Sequence, residues 1–112
     1  MSIPSGSVKV ASTGSFAVNT ANSTLLIMNE LTCSNNSGST ADVAICVVLD
    51  GNTSAVIDQY NTQYLNGFTR RNDSMKVVLG VAAGNHTVDL YAVSATNITK
   101  VSAAINVLII KA

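Results

Sequence analysis

Hydrophobic and polar residues alternate along several stretches of the chain. In the segment ADVAICVVLDG, residues 41–51, every second side chain is aliphatic, and these side chains are Val43, Ile45, Val47 and Leu49. Successive side chains point to opposite faces only in an extended chain, so this alternation predicts a β-strand. The segments STLLIMNELTC, residues 23–33, and HTVDLYAV, residues 86–93, have the same period. No long stretch has the spacing of a helix.

Polar segments rich in turn-forming residues separate these predicted strands. SNNSGST lies between the strands at 23–33 and 41–49, and we therefore predict a β-hairpin there. Asp50-Gly51 then supplies the positive φ that a tight turn requires, and a further strand is predicted over 54–60. From residue 61 to 73, the pattern breaks into polar residues and isolated aromatics, which predicts a long exposed loop.

The last predicted strand is apolar on both of its faces. Val107, Ile109 and Lys111 fall on one face, and Leu108 and Ile110 fall on the other. An exposed, flat, hydrophobic edge promotes aggregation, so we expect this strand in the middle of a sheet or at a contact between subunits.

Short strands at regular spacing favour an all-β, single-domain antiparallel β-sandwich of the jelly-roll type, with about eight strands. A chain of 112 residues is long enough to bury one core. We expect an N-terminal arm at 1–10 and the sandwich domain at 11–112.

Charged residues make up only 11% of the chain, against about a quarter in an average globular domain, while hydrophobic residues make up 47%. A surface with so few charges favours partial coverage by another protein.

Lysines and arginines are scattered and balanced by acidic residues, which argues against nucleic acid as a partner. The longest apolar run is too short to cross a bilayer, and the first residues do not resemble a signal peptide. We therefore expect synthesis in a cytoplasm and no membrane partner.

Several residues invite a chemical interpretation. His86 is the only histidine, but no nucleophile or third group accompanies it, so we expect it to begin a structural strand and the protein not to be an enzyme. Calcium binding at LDGN or RNDS is favoured slightly over catalysis, but clusters such as DxDxDG are missing, and we predict no metal site and no cofactor. Cys33 and Cys46 lack a zinc or redox spacing, and we expect two reduced, packed thiols.

Three segments together resemble a known group of proteins. VAICVVLDG, VAAGNHTVDLYAV and the final INVLIIK, in that order, are similar to small phage virion jelly-roll domains of the tumour necrosis factor and C1q-like type. The resemblance covers roughly residues 41 to 112. It implies a homotrimer with a structural role, either as a capsid decoration (cement) protein or as the head of a fibre.

A decoration protein is the favoured function, because the chain contains no coiled coil or collagen-like shaft. It would bind the major capsid protein on the virion surface. We predict a subunit interface that includes Val107, Ile109, Val48 and Tyr91. Ile3, Pro4 and Val8 are the predicted capsid-binding residues of the arm, where they would add a short strand to a capsid edge.

The alternative function is a receptor- or glycan-binding head. Its predicted contact surface is the loop at 61–73 with its flank, and the residues are Tyr60, Tyr64, Phe68 and Arg70. A small hydrolase is a third possibility, supported by His86 alone.

Overall fold

The computed structural model describes residues 1–111 and contains nine β-strands. They are β1 (Val8–Ser12), β2 (Phe16–Val18), β3 (Ser23–Asn35), β4 (Ala41–Leu49), β5 (Asp58–Tyr64), β6 (Phe68–Val81), β7 (Gly84–His86), β8 (Val88–Ser94) and β9 (Thr99–Ile110). One sheet has the order β1-β8-β4-β5, a second has the order β6-β3-β9, and β2 pairs with β7. The pairs are antiparallel, which confirms the predicted antiparallel β-sandwich.

The strands divide differently from those of a regular jelly roll, which has eight strands in two sheets. Here the two main sheets contain four and three strands, and the ribbon of β2 and β7 has only three residues in each strand. Within the described residues, no helix is long and apolar enough to span a bilayer.

The core lies between the two main sheets and is built mainly from aliphatic side chains. Leu25, Ile27 and Leu31 of β3 are at most 1% exposed, and they belong to the same cluster as Ile45 of β4 and Leu90 of β8. The predicted alternation in β4 and β8 is therefore confirmed on the core side. Such aliphatic side chains pack well on the pleated surfaces of facing sheets.

The predicted hairpin between β3 and β4 is wrong. β3 pairs with β6 and β9, whereas β4 pairs with β5 and β8, so residues 36–40 cross from one sheet to the other. Asn35 holds this corner, since its buried side-chain nitrogen donates to the carbonyls of Ser39, at 2.8 Å, and Tyr64, at 2.6 Å. Turn-forming residues indicate a reversal of the chain, but they do not specify the sheet to which it returns.

The long loop predicted at 61–73 is also wrong. β5 continues to Tyr64 and β6 begins at Phe68, so only residues 65–67 connect them, with Gly67 at a φ of 82°. The strand predicted over 54–60 begins instead at Asp58, and turns precede it. The turn at Asp50-Gly51 is confirmed, because these residues have φ angles of 55° and 69°.

Residues 1–7 run from the connection between β4 and β5 towards β1, at the edge of the four-stranded sheet. The Ile3 N–H donates to the Thr53 carbonyl at 2.9 Å, and the Val56 N–H donates to the Met1 carbonyl at 2.9 Å. Both contacts are with the connection between β4 and β5, whereas β1, which follows at Val8, lies at the opposite edge of the sheet. The segment therefore crosses the sheet, and the predicted boundary between arm and domain falls within β1.

β9 is the last strand of the three-stranded sheet, with β3 as its ladder partner. The prediction that it lies in the middle of a sheet is wrong, while a role in a subunit contact stays a prediction. Ala103, Ile105 and Val107 are half-buried against the core, and Leu108 and Ile110 of the opposite face are 52% and 48% exposed. Packing within one chain therefore explains the apolar residues on the inner face of β9 but not those on its outer face.

Candidate interaction surface

An exposed apolar surface occupies one end of the outer face of the three-stranded sheet. We call it the apolar patch, and its residues are Leu26, Met28, Met75, Val77, Leu79, Leu108 and Ile110. The strand registers bring them together. Val77, Leu26 and Leu108 form one row across the sheet, and Met75, Met28 and Asn106 form the next row. Side chains in such rows are nearest neighbours on a sheet surface.

The patch exposes a large apolar area for a chain of this size. Leu79 is 75% exposed, Met75 is 63% and Val77 is 51%. Together with Met28, Leu108 and Ile110, these three side chains expose as much apolar surface as about three fully exposed aliphatic side chains. Removing that area from water stabilises a contact by about 5–10 kcal/mol for each copy, at about 1.5–3 kcal/mol for each side chain.

Polar residues border the apolar patch on the same sheet face. The Arg71 Nε lies 2.9 Å from an Asp73 oxygen and 3.9 Å from a Glu30 oxygen. Glu30 also accepts hydrogen bonds from the Thr32 hydroxyl, at 2.9 Å, and the Ser102 hydroxyl, at 3.2 Å. An apolar centre beside a hydrogen-bonded polar margin is the usual composition of a protein–protein interface.

The four residues predicted for the subunit interface lie on two different sheets. Val107 is half-buried against the core, and Ile109, which is 36% exposed, pairs with Leu25 at the end of β9. Val48 is fully buried within one chain, so it has no free surface to offer a second subunit. Tyr91 is half-buried on the outer face of the four-stranded sheet, where the Lys9 ammonium lies 5.9 Å from its ring centroid.

The sequence analysis missed the β6 residues of the apolar patch. Met75, Val77 and Leu79 alternate with partly buried or glycine positions in SMKVVLGV, residues 74–81. This alternation was the available signal. It gave no indication that the exposed side would meet Leu26 and Leu108, because that depends on the pairing with β3.

The arm residues predicted to bind a capsid are placed against or beside their own domain. Ile3 and Pro4 are half-buried in the segment that crosses the four-stranded sheet. Val8 is 61% exposed and already belongs to β1, where it lies opposite Ala92.

The four predicted receptor-binding residues do not form one exposed surface. The half-buried Tyr60 hydroxyl donates to Asn29 at 2.6 Å, and burial raises the pKa of Tyr60 to about 12. Tyr64 is 0% exposed, its hydroxyl donates to the Leu31 carbonyl at 2.9 Å, and burial raises its pKa as well. Only Phe68, which is 63% exposed, and Arg70 lie at the surface. The two tyrosines belong to the interior, so the prediction that they form part of a receptor-binding surface is wrong.

His86 joins two turns by hydrogen bonds, and it is the last residue of β7 rather than the first residue of a strand, so the prediction that it begins a strand is wrong. Its Nδ1 lies 2.8 Å from an Asp50 carboxylate oxygen and its Nε2 lies 2.7 Å from the Ala82 carbonyl, while the second Asp50 oxygen accepts from the Thr87 N–H at 3.0 Å. Both ring nitrogens face acceptors, so both donate only when the imidazole is protonated. The hydrogen bond to Asp50 accordingly raises the pKa of His86, and the bond to Ala82 adds to the effect. This geometry fastens the turn after β4 to the connection between β6 and β7, through Ala82, and to Thr87, which lies between β7 and β8.

We expect the contribution of His86 to stability to be lost as the pH rises. Because its folded-state pKa is raised above the ordinary value of 6.5, the stabilisation is fully present below pH 6.5 and disappears through the higher folded pKa. Urea denaturation at pH 5.5 and 8.5 should show that His86→Gln costs about 1 kcal/mol at the lower pH and little at the higher one. Asp50→Asn should remove the same pH dependence. Equal costs at both pH values would contradict this assignment.

Both cysteines are buried and unbridged, which confirms the prediction of two packed thiols. Cys33 belongs to the core, whereas Cys46 faces the opposite side of the four-stranded sheet. Burial raises the pKa of each thiol, so neither is activated as a nucleophile while it stays covered.

The two segments considered for calcium use their carboxylates within the chain. Asp50 of LDGN binds His86 and Thr87, and Asp73 of RNDS binds Arg71. Across residues 1–111, the structure groups no three His, Cys, Asp or Glu side chains as ligands for a metal ion.

Comparison with known proteins found no match among family models, curated proteins or solved structures. Functional proposals for the chain are therefore based on its residues, their geometry and the resemblance noted for residues 41 to 112.

Proposed function

We propose that the protein is a structural subunit that associates with copies of itself through the apolar patch and decorates a phage capsid as a homotrimer. The observation that supports this most directly is the apolar patch, where seven aliphatic side chains from three strands share one outer face. The largest exposed apolar patches of ordinary monomers are often functional.

The energy available from the apolar patch is large enough for self-association. Each copy gains about 5–10 kcal/mol on covering it, so three copies whose patches face a common threefold axis gain about 15–30 kcal/mol together. The two association steps that build a trimer cost roughly 4–15 kcal/mol each in translational, rotational and side-chain freedom. These ranges overlap, so the apolar area is large enough for self-association provided that the patches pack closely.

The resemblance of residues 41 to 112 to virion proteins is what supports a capsid as the partner. A decoration protein gains strength because modest contacts repeat over many copies on one shell. The low proportion of charged residues, 11%, is compatible with a chain that is partly covered when assembled. On this proposal the major capsid protein is the partner and the virion surface is the location.

A receptor-binding head is the second candidate, supported by one exposed feature. The turn between β5 and β6 presents Leu65, which is 53% exposed, and Phe68, which is 63% exposed, beside Arg70. An aromatic ring beside a guanidinium can stack on a sugar or a peptide. A glycan array should test this with Phe68→Ala, since Tyr64 is buried. Binding that the variant loses would favour a head domain.

Sedimentation and binding to capsids test the decoration function. We expect the protein to sediment as a trimer at micromolar concentration, and we expect expanded, undecorated capsids to take it up in a saturable amount and gain resistance to heat. A monomer at that concentration would overturn the proposed self-association. Absence of uptake by the capsids would overturn the proposed partner while leaving self-association intact.

A further inference from the structure

We propose that a cavity between the two main sheets binds an aliphatic monocarboxylate of about six to eight carbon atoms, with the hydrocarbon chain between the sheets and the carboxylate at Lys100. We call it the inter-sheet cavity, and the residues that line it include Val8, Val10, Leu31, Cys33, Ala92 and Lys100. It shares no residue with the apolar patch, so the inference goes beyond the proposed function and does not depend on it.

The inter-sheet cavity lies on the side of the sandwich where β1 and β9 are neighbours. These two strands are the edges of different sheets and do not pair with each other, so no hydrogen-bonded ladder closes the sandwich on this side. The connection between β8 and β9 contributes Thr96 and Ile98 to the lining. A small molecule can therefore enter between the sheets here without breaking the pairing of any strand.

The deepest wall of the inter-sheet cavity is apolar and belongs to the core. Leu31, Val43 and Ala92 come from β3, β4 and β8 and are at most 8% exposed. Val8 and Val10 of β1 form a more exposed part of the wall. Aliphatic walls of this kind are complementary to a chain of methylene groups, which gains free energy by leaving water.

Lys100 supplies the positive charge of the inter-sheet cavity. Within the described chain it is the one charged residue of the lining, and no acidic side chain accompanies it there. Its ammonium donates to the Val10 carbonyl at 3.3 Å, a hydrogen bond that joins β9 to β1. The ion pairs found among residues 1–111 all involve other groups. Because an ammonium has three N–H donors, two remain for a carboxylate.

The register of β9 and the chemistry of Cys33 both place the charge of Lys100 beside the interior. Lys100 lies opposite Cys33 in the pairing of β3 with β9, and Cys33 is a core residue that is 3% exposed. Burial raises the pKa of the Cys33 thiol, while a hydrogen bond with Tyr64 and the charge of Lys100 lower it to a smaller extent. The positive potential of Lys100 therefore extends into the inter-sheet cavity, where it attracts an anion.

The volume of the inter-sheet cavity limits the length of the ligand. The volume is about 230 Å³. A dry protein cavity of about 150 Å³ accommodates benzene, so by the same ratio this one accommodates about nine non-hydrogen atoms. A straight-chain carboxylate of about six to eight carbon atoms has this size.

Binding of a series of carboxylates tests the site. Butanoate, hexanoate, octanoate and dodecanoate, each below its micelle concentration, are titrated into ¹⁵N-labelled protein while amide chemical shifts are recorded. Each added methylene should tighten binding about fourfold up to about eight carbon atoms, after which the gain should stop because the cavity is full. The largest shift changes should occur at Cys33, Ala92 and Lys100. If affinity increased steadily up to dodecanoate, with the largest changes at Val77 and Leu79, the ligand would bind the apolar patch and the site would be overturned.

A pair of lysine variants tests the position of the carboxylate. Lys100→Gln should weaken binding of octanoate about threefold to fivefold, because one charge-assisted contact is lost at a partly exposed site. It should leave binding of 1-octanol unchanged. The matched control is Lys111→Gln, which removes the same charge just after the end of β9 and should leave both affinities unchanged. Equal weakening of octanoate by the two variants would overturn the assignment of Lys100.

Filling the inter-sheet cavity tests the position of the hydrocarbon chain. Ala92→Leu should weaken octanoate at least tenfold, and Val10→Phe, at a half-buried position of β1, should do the same if Ala92→Leu does not fold. Folding is judged from the amide spectrum. Undiminished binding by a folded variant would overturn the site. The double variant Val77→Asp with Leu108→Asp, which alters the apolar patch alone, should bind octanoate like the original protein, so failure of this site and failure of self-association are distinguishable.

Discussion

Replacement of Tyr64 by alanine is expected to lower the free energy of unfolding by about 3–5 kcal/mol. The side chain is 0% exposed and fills the space between the two main sheets, so truncation leaves a large cavity. It also leaves the Leu31 carbonyl without the hydrogen bond that it accepts at 2.9 Å. Urea denaturation followed by circular dichroism should measure this loss, and thermal unfolding should show a large fall in midpoint.

Two further variants separate the causes of this loss. Tyr64→Phe retains most of the volume and removes only the hydroxyl, so it should cost about 1–2 kcal/mol. Phe68→Ala removes an aromatic ring that is 63% exposed at the start of β6, and it should cost less than about 1 kcal/mol. If Tyr64→Ala were as mild as Phe68→Ala, Tyr64 would have to lie at the surface, as the receptor-loop prediction required.

The sequence predicted the core side of the sandwich well because burial is periodic there. In β4 and β8, residues such as Ile45 and Leu90 recur at every second position, and both proved to be core residues. The first half of β6 was predicted to be a loop, since it carries Arg71 and Asp73 on one face and the half-buried Asn72 and Ser74 on the other. A strand without apolar alternation resembles a loop in its sequence. Its pairing with β3, rather than its own composition, makes it a strand.

The candidate surface depends on relations between distant segments, which a single sequence does not reveal. The exposed apolar side of β9 was recognised from Leu108 and Ile110, and the structure places both in the apolar patch. Their neighbours Val77 and Leu79 come from a strand about thirty residues earlier, and the register with β3 brings them together. The outward position of Val48 was likewise deduced correctly from alternation, but the side chain is 0% exposed within the single chain.

The double replacement Val77→Asp with Leu108→Asp is expected to weaken self-association by at least 100-fold. The two residues flank Leu26 in one row of the apolar patch and are 51% and 52% exposed in the single chain. At a contact between copies, each aspartate would lose apolar burial and place a carboxylate where water is excluded. A combined cost of about 3 kcal/mol or more for each copy corresponds to that fold-change, since 1.4 kcal/mol is tenfold. Sedimentation across a concentration series measures it.

A matched pair on the polar half of the same sheet face controls for added charge. Thr69→Asp with Thr99→Asp introduces the same two charges at exposed positions that flank Ser34, outside the apolar patch, and we expect association to weaken by less than tenfold. Both pairs should leave the free energy of unfolding of the single chain within about 1 kcal/mol of the original, because every replaced side chain is exposed on a strand at the edge of its sheet. If the two pairs changed association equally, overall charge would be the cause, and the apolar patch would have no special part in bringing copies together.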